Sequence, residues 1–441
     1  MSSAHRRAIS PSSAITLGKI LGNPAPFCLG SIAPVQSSLR NFELCIRRNV
    51  HEQFTFAKPA SLLCFSHLRW NFVYQRPQHL LSRCQKVCDV HFWEEPEYVA
   101  AESADLRVET DPSGLRVLTP LLPQGVDRLA SVVLQRELLD GYIKREQIGR
   151  YISWYYTPMA LDFTSHLTPC LTVYDCMDEL SSFKGAPPDL VRMEATLFAR
   201  ADVVFAGGAS LYESKRQQHQ NVHLFPSSID REHFSRARAH LADPADQKEI
   251  SHPRIGFFGV LDERLDQELL AAVAQQNPDW QLILLGPLAK IDPEDLPRAE
   301  NIHYLGRKAY AELPDYLANW EVAILPFAQN PSTRFISPTK TPEYLAAGKP
   351  VVSTPIQDVV RPYGELGLVE IAADAETFSQ AIKTCLLRDD PNWLSAVDRF
   401  LDGMSWDHTF QLMWTQMQII MQQKRVSATP ISTSERSEPY V

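Results

Sequence analysis

Short runs of consecutive apolar residues alternate with longer amphipathic stretches along this chain, and the alternation happens twice. The first series of runs lies at 61–65, 88–93, 115–118, 151–155, 172–174, 202–206 and 222–225. Such runs, apolar at successive positions, read as strands covered on both faces. Between them the periodicity predicts helices entered through 75–79 (with Pro77 in a first-turn position), over 126–145, over 187–200, and from Ser210 onward. The series restarts at Arg254. Strands are predicted at 254–258, 280–285, 302–306, 322–326 and 351–352, with helices from Asp266, over 313–317 and over 343–347. Amphipathic helices over 393–400 and 409–422 follow. Repeated β-α-β units imply parallel sheets, whose ligands sit beyond the carboxyl ends of the strands. The expectation is an α/β chain of two doubly wound halves facing across a cleft.

This pattern divides the chain. Residues 1–58 are rich in Ser, Pro and Arg, with Glu43 as their first acidic residue, and read as a disordered or targeting-like extension. Residues 59–245 form a first domain, with the polar, proline-flanked stretch 240–253 as interdomain linker, and 246–390 form a second. Helices over 391–424 are expected to return to the first domain, and 425–441 read as a disordered tail.

Composition narrows the class. Of 441 residues, 44% are hydrophobic and 22% charged, which suits a globular protein with a large core. A formal net charge of -9 argues against binding a nucleic-acid backbone. The eight cysteines form no C-x-x-C pair and no zinc set, which fits reduced thiols in a cytoplasmic compartment. No run approaches the roughly 18 apolar residues that read as a membrane span.

The chemistry concentrates in one stretch, R-F-I-S-P-T-K-T-P-E-Y-L-A-A-G-K-P-V-V-S-T-P, at 334–355. A polar loop leads into a helix that stops at Gly348, and a buried strand follows. Ser337, Thr339, Lys340 and Thr341 cluster at the helix N-terminus, where backbone N–H groups favour a phosphate. Glu343 lies one turn in, where a carboxylate can accept hydrogen bonds from a ribose diol. In the first half, His67, Arg69, Trp70, Arg76 and His79 crowd the loop after the first strand. Arg, His and aromatic groups there suit an acceptor or phosphate pocket, or simply pack the loop. The fifth strand ends in Asp175-Cys176-Met177-Asp178-Glu179. Carboxylates at that end can serve as the base for a hydroxyl nucleophile. Mutual repulsion would raise the pKa of at least one of them.

E-Y-L-A-A-G-K-P-V-V resembles the nucleotide-binding signature of bacterial glycosyltransferases of the GT-B fold. Further likeness lies in the first-half loop H-L-R-W-N-F-V-Y-Q-R-P-Q-H at 67–79 and in P-S-S-I-D at 226–230 with Phe234 beyond. The resemblance covers about residues 60–425. It implies two Rossmann-like domains and a closing helix that crosses back onto the first. It implies that Glu343 holds the donor ribose, and that the Gly259 turn, Arg264, Arg334 and Lys340 face the diphosphate. Phe335 stands where relatives often carry a second Glu. The expected activity is transfer of a sugar from a nucleotide-diphospho-sugar, a UDP-sugar foremost, to a glycan, lipid-linked or small-molecule acceptor, with polysaccharide biosynthesis as the setting. For an inverting transfer Asp178 is the favoured base, Asp175 orients its loop, and His67 is the reserve candidate; a retaining mechanism, which in GT-B relatives would use no such base, is an open alternative. The chain has no Asp-x-Asp pair, so no metal and no resident cofactor are expected, and leaving-group charge falls to basic side chains. A cytoplasmic protein with peripheral contact to the inner membrane is expected. A sugar-nucleotide epimerase or hydrolase, and a non-catalytic nucleotide-sugar binder, are open alternatives on the same fold.

Overall fold

The computed structural model describes residues 61–428. The expectations for residues 1–58 and for the end of the chain lie outside that range.

Nine strands build the first sheet: β1 (Ser61–Phe65), β2 (Asp89–Trp93), β3 (Glu97–Val99), β4 (Asp105–Thr110), β5 (Arg116–Pro123), β6 (Tyr151–Tyr155), β7 (Leu171–Cys176), β8 (Val203–Ala206) and β9 (Val222–Leu224). Their order is β3-β5-β2-β1-β6-β7-β8-β9, and β4 pairs antiparallel with β5 as the one departure from parallel pairing. The alternation within strands explains why both faces are covered. Leu62, Cys64, Ile152 and Trp154 enter one apolar cluster, while Leu63, Phe65, Tyr151 and Tyr155 enter the other. Helices Arg76–Cys84, Arg128–Arg145 and Leu190–Arg200 provide the crossovers.

The second sheet is wholly parallel. It contains β10 (Arg254–Phe258), β11 (Gln281–Leu285), β12 (Ile302–Gly306), β13 (Val322–Leu325), β14 (Val351–Ser353) and β15 (Glu370–Ile371), in the order β12-β11-β10-β13-β14-β15. In each half the chain winds outward in both directions from a central strand, as a doubly wound sheet does.

The passage between the halves comes earlier than the composition suggests. Ile229, Phe234 and Ala237 already pack into the core of the second sheet. Arg238 donates to the carbonyl of Ala346 at 2.7 Å and forks onto Asp398. The polar stretch 240–253 is fastened down rather than free. Buried Arg254 holds Asp243 and the carbonyls of Gln247 and Ile250, and Trp320 Nε1 donates to Gln247 Oε1 at 2.8 Å. The chain therefore leaves the first sheet just after Phe225.

At the other end only one helix returns. Trp393, Val397 and Leu401 of helix Pro391–Leu401 belong to the second core. Helix Trp406–Ala428 crosses over, placing Trp406, Met413, Met417 and Met421 against the first sheet, and it extends past the expected boundary at 424. Ion pairs Arg83–Asp407 (2.9 Å) and Lys424–Asp202 (2.7 Å) flank its seam. Across the cleft, Tyr74 stacks on Tyr310 with ring centroids 4.6 Å apart, and Asp358 accepts from the backbone N–H of Ser210 at 3.0 Å.

Candidate active site

A cleft of about 470 Å3 lies between the carboxyl edges of the two sheets. Its second-domain wall begins as bare backbone. β10 ends at Phe258 and is followed by Gly259, whose N–H donates to the carbonyl of Leu285 at 2.8 Å. Gly259 has φ +156°, and a Cβ there would lie 2.4 Å from Cε of Lys340. At Gly286 (φ +150°) a Cβ would lie 1.6 Å from the carbonyl oxygen of Gly259. Only glycine fits either place, so two strand ends and one lysine come within touching distance.

Helix Lys340–Ala346 supplies the polar groups. Its inner face, Tyr344, Leu345 and Ala346, is fully buried, and the Phe258 N–H donates to the Tyr344 hydroxyl at 2.9 Å. The helix is thereby pinned to the end of β10, which sets Lys340 and Glu343 toward the cleft. Glu343 is 6% exposed, and no hydrogen bond from another described residue reaches its carboxyl group. Burial raises its pKa and Lys340 opposes the rise. Burial likewise lowers the pKa of Lys340, against the pull of Glu343. The two are close enough to feel each other yet form no ion pair. Each keeps hydrogen-bonding capacity for a ligand.

Arg264 also lines the cleft, but its guanidinium already grips Asp262 through Nε at 3.0 Å and Nη2 at 2.6 Å. It lies over the ring of Phe183 from the first domain, as does Lys290, at 5.5 and 5.1 Å. Across from these cations stands Asp178, half-buried on the cleft wall. Burial raises its pKa to about 6, against Arg264 and Lys340 and with the help of Asp262. That value suits a general base working near neutral pH.

The structure separates the other sequence candidates. Ser337 and Thr339 line the cleft with Gly259, Arg264, Lys340 and Glu343. Thr341 does not, since its side chain is wholly buried with an unpartnered Oγ1. Arg334 is exposed, lies over the ring of Phe335 at 5.0 Å and stands apart from the cleft lining, so the diphosphate role assigned to it does not follow from its position. Asp175 is 0% exposed and does not face the cleft. It is gripped by Arg76, with Nε 3.1 Å and Nη2 2.9 Å from Oδ1, while Arg76 Nη1 donates to the carbonyl of Phe225 at 2.7 Å. That pair ties the first helix to β7 and to the point where the chain leaves the sheet.

The basic loop at 67–79 is similarly spent on structure. Arg69 is bound to Glu94 and to the carbonyls of Glu95 and Pro96. His79 is buried and stacks on Trp406 at 4.5 Å, and burial holds it neutral. His67 lies outside the cleft lining, with an unpartnered Nδ1 and a pKa lowered to about 4 by burial and then by Lys290. Trp70 lines the cleft, and its Nε1 donates to Asp111 at 3.1 Å.

Sequence reasoning passed over Asp111, Phe183, Lys290, Arg307, Lys308 and Tyr310. Two local signals were available. Asp111-Pro112-Ser113-Gly114 is a turn sequence between two strands, and Arg307-Lys308 directly follows the glycine that ends β12. Among the described residues no cluster of His, Cys, Asp or Glu is arranged to hold a metal, and no helix is long and apolar enough to cross a membrane.

Comparison with known proteins agrees with this architecture. Residues 252–388 match the model of the family Glycosyl transferases group 1. A putative teichuronic acid biosynthesis glycosyltransferase of Bacillus subtilis (strain 168) is 27% identical over 202 residues, which cover 41% of this chain. The match spans 50% of that relative's length. Among solved structures, an E. coli trehalose-6-phosphate protein bound with UDP-2-fluoro glucose aligns at TM-score 0.60 with 11% identity, covering 81% of this chain and 99% of that one. A sucrose-phosphate synthase from Thermosynechococcus elongatus aligns at TM-score 0.57 with 14% identity, covering 83% of this chain and 98% of the other. The chain therefore has the GT-B fold, and residues 252–388 of it are similar to the family Glycosyl transferases group 1.

Proposed function

We propose that this protein is a glycosyltransferase that moves a sugar from a nucleotide-diphospho-sugar to a hydroxyl of a glycan acceptor. The observation that carries the reading is the pairing of Gly259 and Gly286 with Lys340 and Glu343. It combines a backbone surface that admits close approach, one unpaired cation and one unpartnered carboxyl group in a single wall. A diphosphate would lie against Gly259 and Lys340, with Arg264 behind, and Glu343 would meet the ribose. The bound nucleotide in the E. coli neighbour makes UDP the first donor to test. Leaving-group charge is met by Lys340 and Arg264, so the reaction is proposed to run without a metal or resident cofactor.

Asp178 is proposed as the base. It faces the diphosphate cations from the opposite wall, and its raised pKa fits the task. Membrane contact through the 67–79 loop is not part of this proposal, because its Arg and His side chains are buried or already bonded. The test is incubation with UDP-, GDP- and dTDP-sugars and a panel of acceptors, followed by product analysis. A new glycoside with stoichiometric nucleotide diphosphate is expected. Free sugar alone would point to a hydrolase, and binding without turnover to a non-catalytic binder. Asp178→Asn is expected to cut turnover by about a hundredfold or more while nucleotide binding persists.

A further inference from the structure

The two walls of the cleft differ in what charge they offer. The first-domain wall presents Asn71, Phe72, Val73, Tyr74 and Gln75 beside Trp70. Tyr74 is 44% exposed and Phe72 half-buried, so ring surface remains open to a ligand. Among the described residues Arg76 is the one cation on this wall, and its donors are consumed by Asp175 and the carbonyl of Phe225. Arg69 is turned to Glu94 and two carbonyls outside the lining. His67 and His79 are held neutral by burial. The charges left on this wall are negative. Asp111 is fixed by the N–H groups of Ser113 and Leu115, the Ser113 hydroxyl and Trp70 Nε1, and Asp178 stands beside the cations opposite.

Among the described residues, the cations of the cleft other than Arg76 belong to the second domain. Arg264 is paired with Asp262 and Lys308 with Asp246, Lys340 faces Glu343, and Arg307 donates to the carbonyl of Asn71 at 2.6 Å across the rim. An anionic group on the acceptor would meet Asp111 and Asp178 on this wall, while Arg307 and Lys308 across the rim are already engaged by the Asn71 carbonyl and Asp246, so like-charge repulsion and lost hydration oppose it. The apolar face of an uncharged sugar can instead lie on the exposed rings, with the amides of Asn71 and Gln75 beside its hydroxyls.

We infer that the acceptor ring entering this cleft is an uncharged sugar, carrying neither phosphate nor carboxylate. The inference rests on the transferase reading above. In the step it describes, the acceptor hydroxyl oxygen bonds to the anomeric carbon of the donor. The bond from that carbon to the diphosphate oxygen breaks, its electron pair leaves with the diphosphate, and the hydroxyl proton passes to Asp178.

The test uses the full chain, UDP-glucose and matched acceptors: octyl glucoside and octyl galactoside, their 6-phosphates, and the corresponding uronides. Each is scored for glycoside product and for inhibition of acceptor-independent UDP release. Neutral acceptors are expected to give product or inhibition at kcat/KM or affinity about ten- to a hundredfold better than the anionic analogues. Asn71→Arg, which adds a cation to the exposed rim of the first-domain wall, is expected to narrow that ratio. Equal or better use of the phosphates or uronides overturns the inference, as does indifference to every acceptor while UDP binding and UDP release persist. Failure to bind UDP-, GDP- and dTDP-sugars alike overturns the transferase reading, and the acceptor inference falls with it.

Discussion

The loop at 67–79 and the segment at 334–343 look alike as sequences, since both are basic, polar and placed at strand ends. In the folded chain they do opposite things. In the first, Arg69 and Arg76 have found carboxylates and carbonyls, and His79 has stacked on a tryptophan. In the second, half-buried Lys340 and buried Glu343 stand near each other with no ion pair and no hydrogen bond to saturate them. A charged residue near a cleft has most to offer a ligand where the fold leaves it unsatisfied. The fold spends charges at the first place and withholds them at the second.

The largest test of this contrast is Arg76→Met, which strands Asp175 as a buried charge. It is expected to destabilise the protein by about 3–5 kcal/mol in chemical denaturation. Retained stability with lost acceptor use would reverse the assignment of this pair. Lys340→Ala should do the converse. Turnover is expected to fall by roughly a hundredfold with Tm unchanged or higher, because a desolvated cation aimed at the leaving group is removed. A matching drop in Tm would make Lys340 structural. Glu343→Gln is expected to weaken nucleotide binding by about 1–3 kcal/mol in calorimetry, the difference between charge-assisted and neutral hydrogen bonds. Unchanged affinity would remove the ribose role.

The mildest test is pH. Asp178 titrates at about 6 against an ordinary 3.8. As a base it must be ionised, so kcat/KM should fall about tenfold per pH unit below that value. The stability sign is opposite. The folded state holds the proton more tightly, so stability falls as pH rises from the ordinary pKa to the folded one, and an ionised Asp178 burdens the fold at pH 7. Asp178→Asn is then expected to raise Tm at pH 7 while flattening the acid limb of the rate profile. An acid limb that survives the substitution belongs to another group.

The parallel strands were legible because strands buried on both faces are continuous apolar runs, as in β1 and β6. β3 and β4 were not, since they form the polar edge of the sheet, with mostly half-exposed or exposed residues and no run to read. That Gly259, Lys340 and Glu343 share the cleft wall was legible because one local loop-helix-strand unit presents two of them and a strand end the third. The fate of Arg76 could not, because its partner Asp175 lies 99 positions away and only the register of the sheet brings them together. The same holds for Arg264, whose partner Asp262 is two residues away but whose second neighbour, Phe183, belongs to the other domain.

The helix Trp406–Ala428 has a bearing on how the chain is made. The core beneath the first sheet includes Trp406, Met413, Met417 and Met421, long after the last strand of that sheet has been laid down. The second core draws on nothing beyond Leu401 among its buried members. During synthesis the half that emerges first therefore waits with an apolar seam uncovered, while the half that emerges later can close as soon as its own residues clear the ribosome. The seam along Leu80, Leu81 and Cys84 is thus the apolar surface the nascent chain leaves uncovered until helix Trp406–Ala428 has been made.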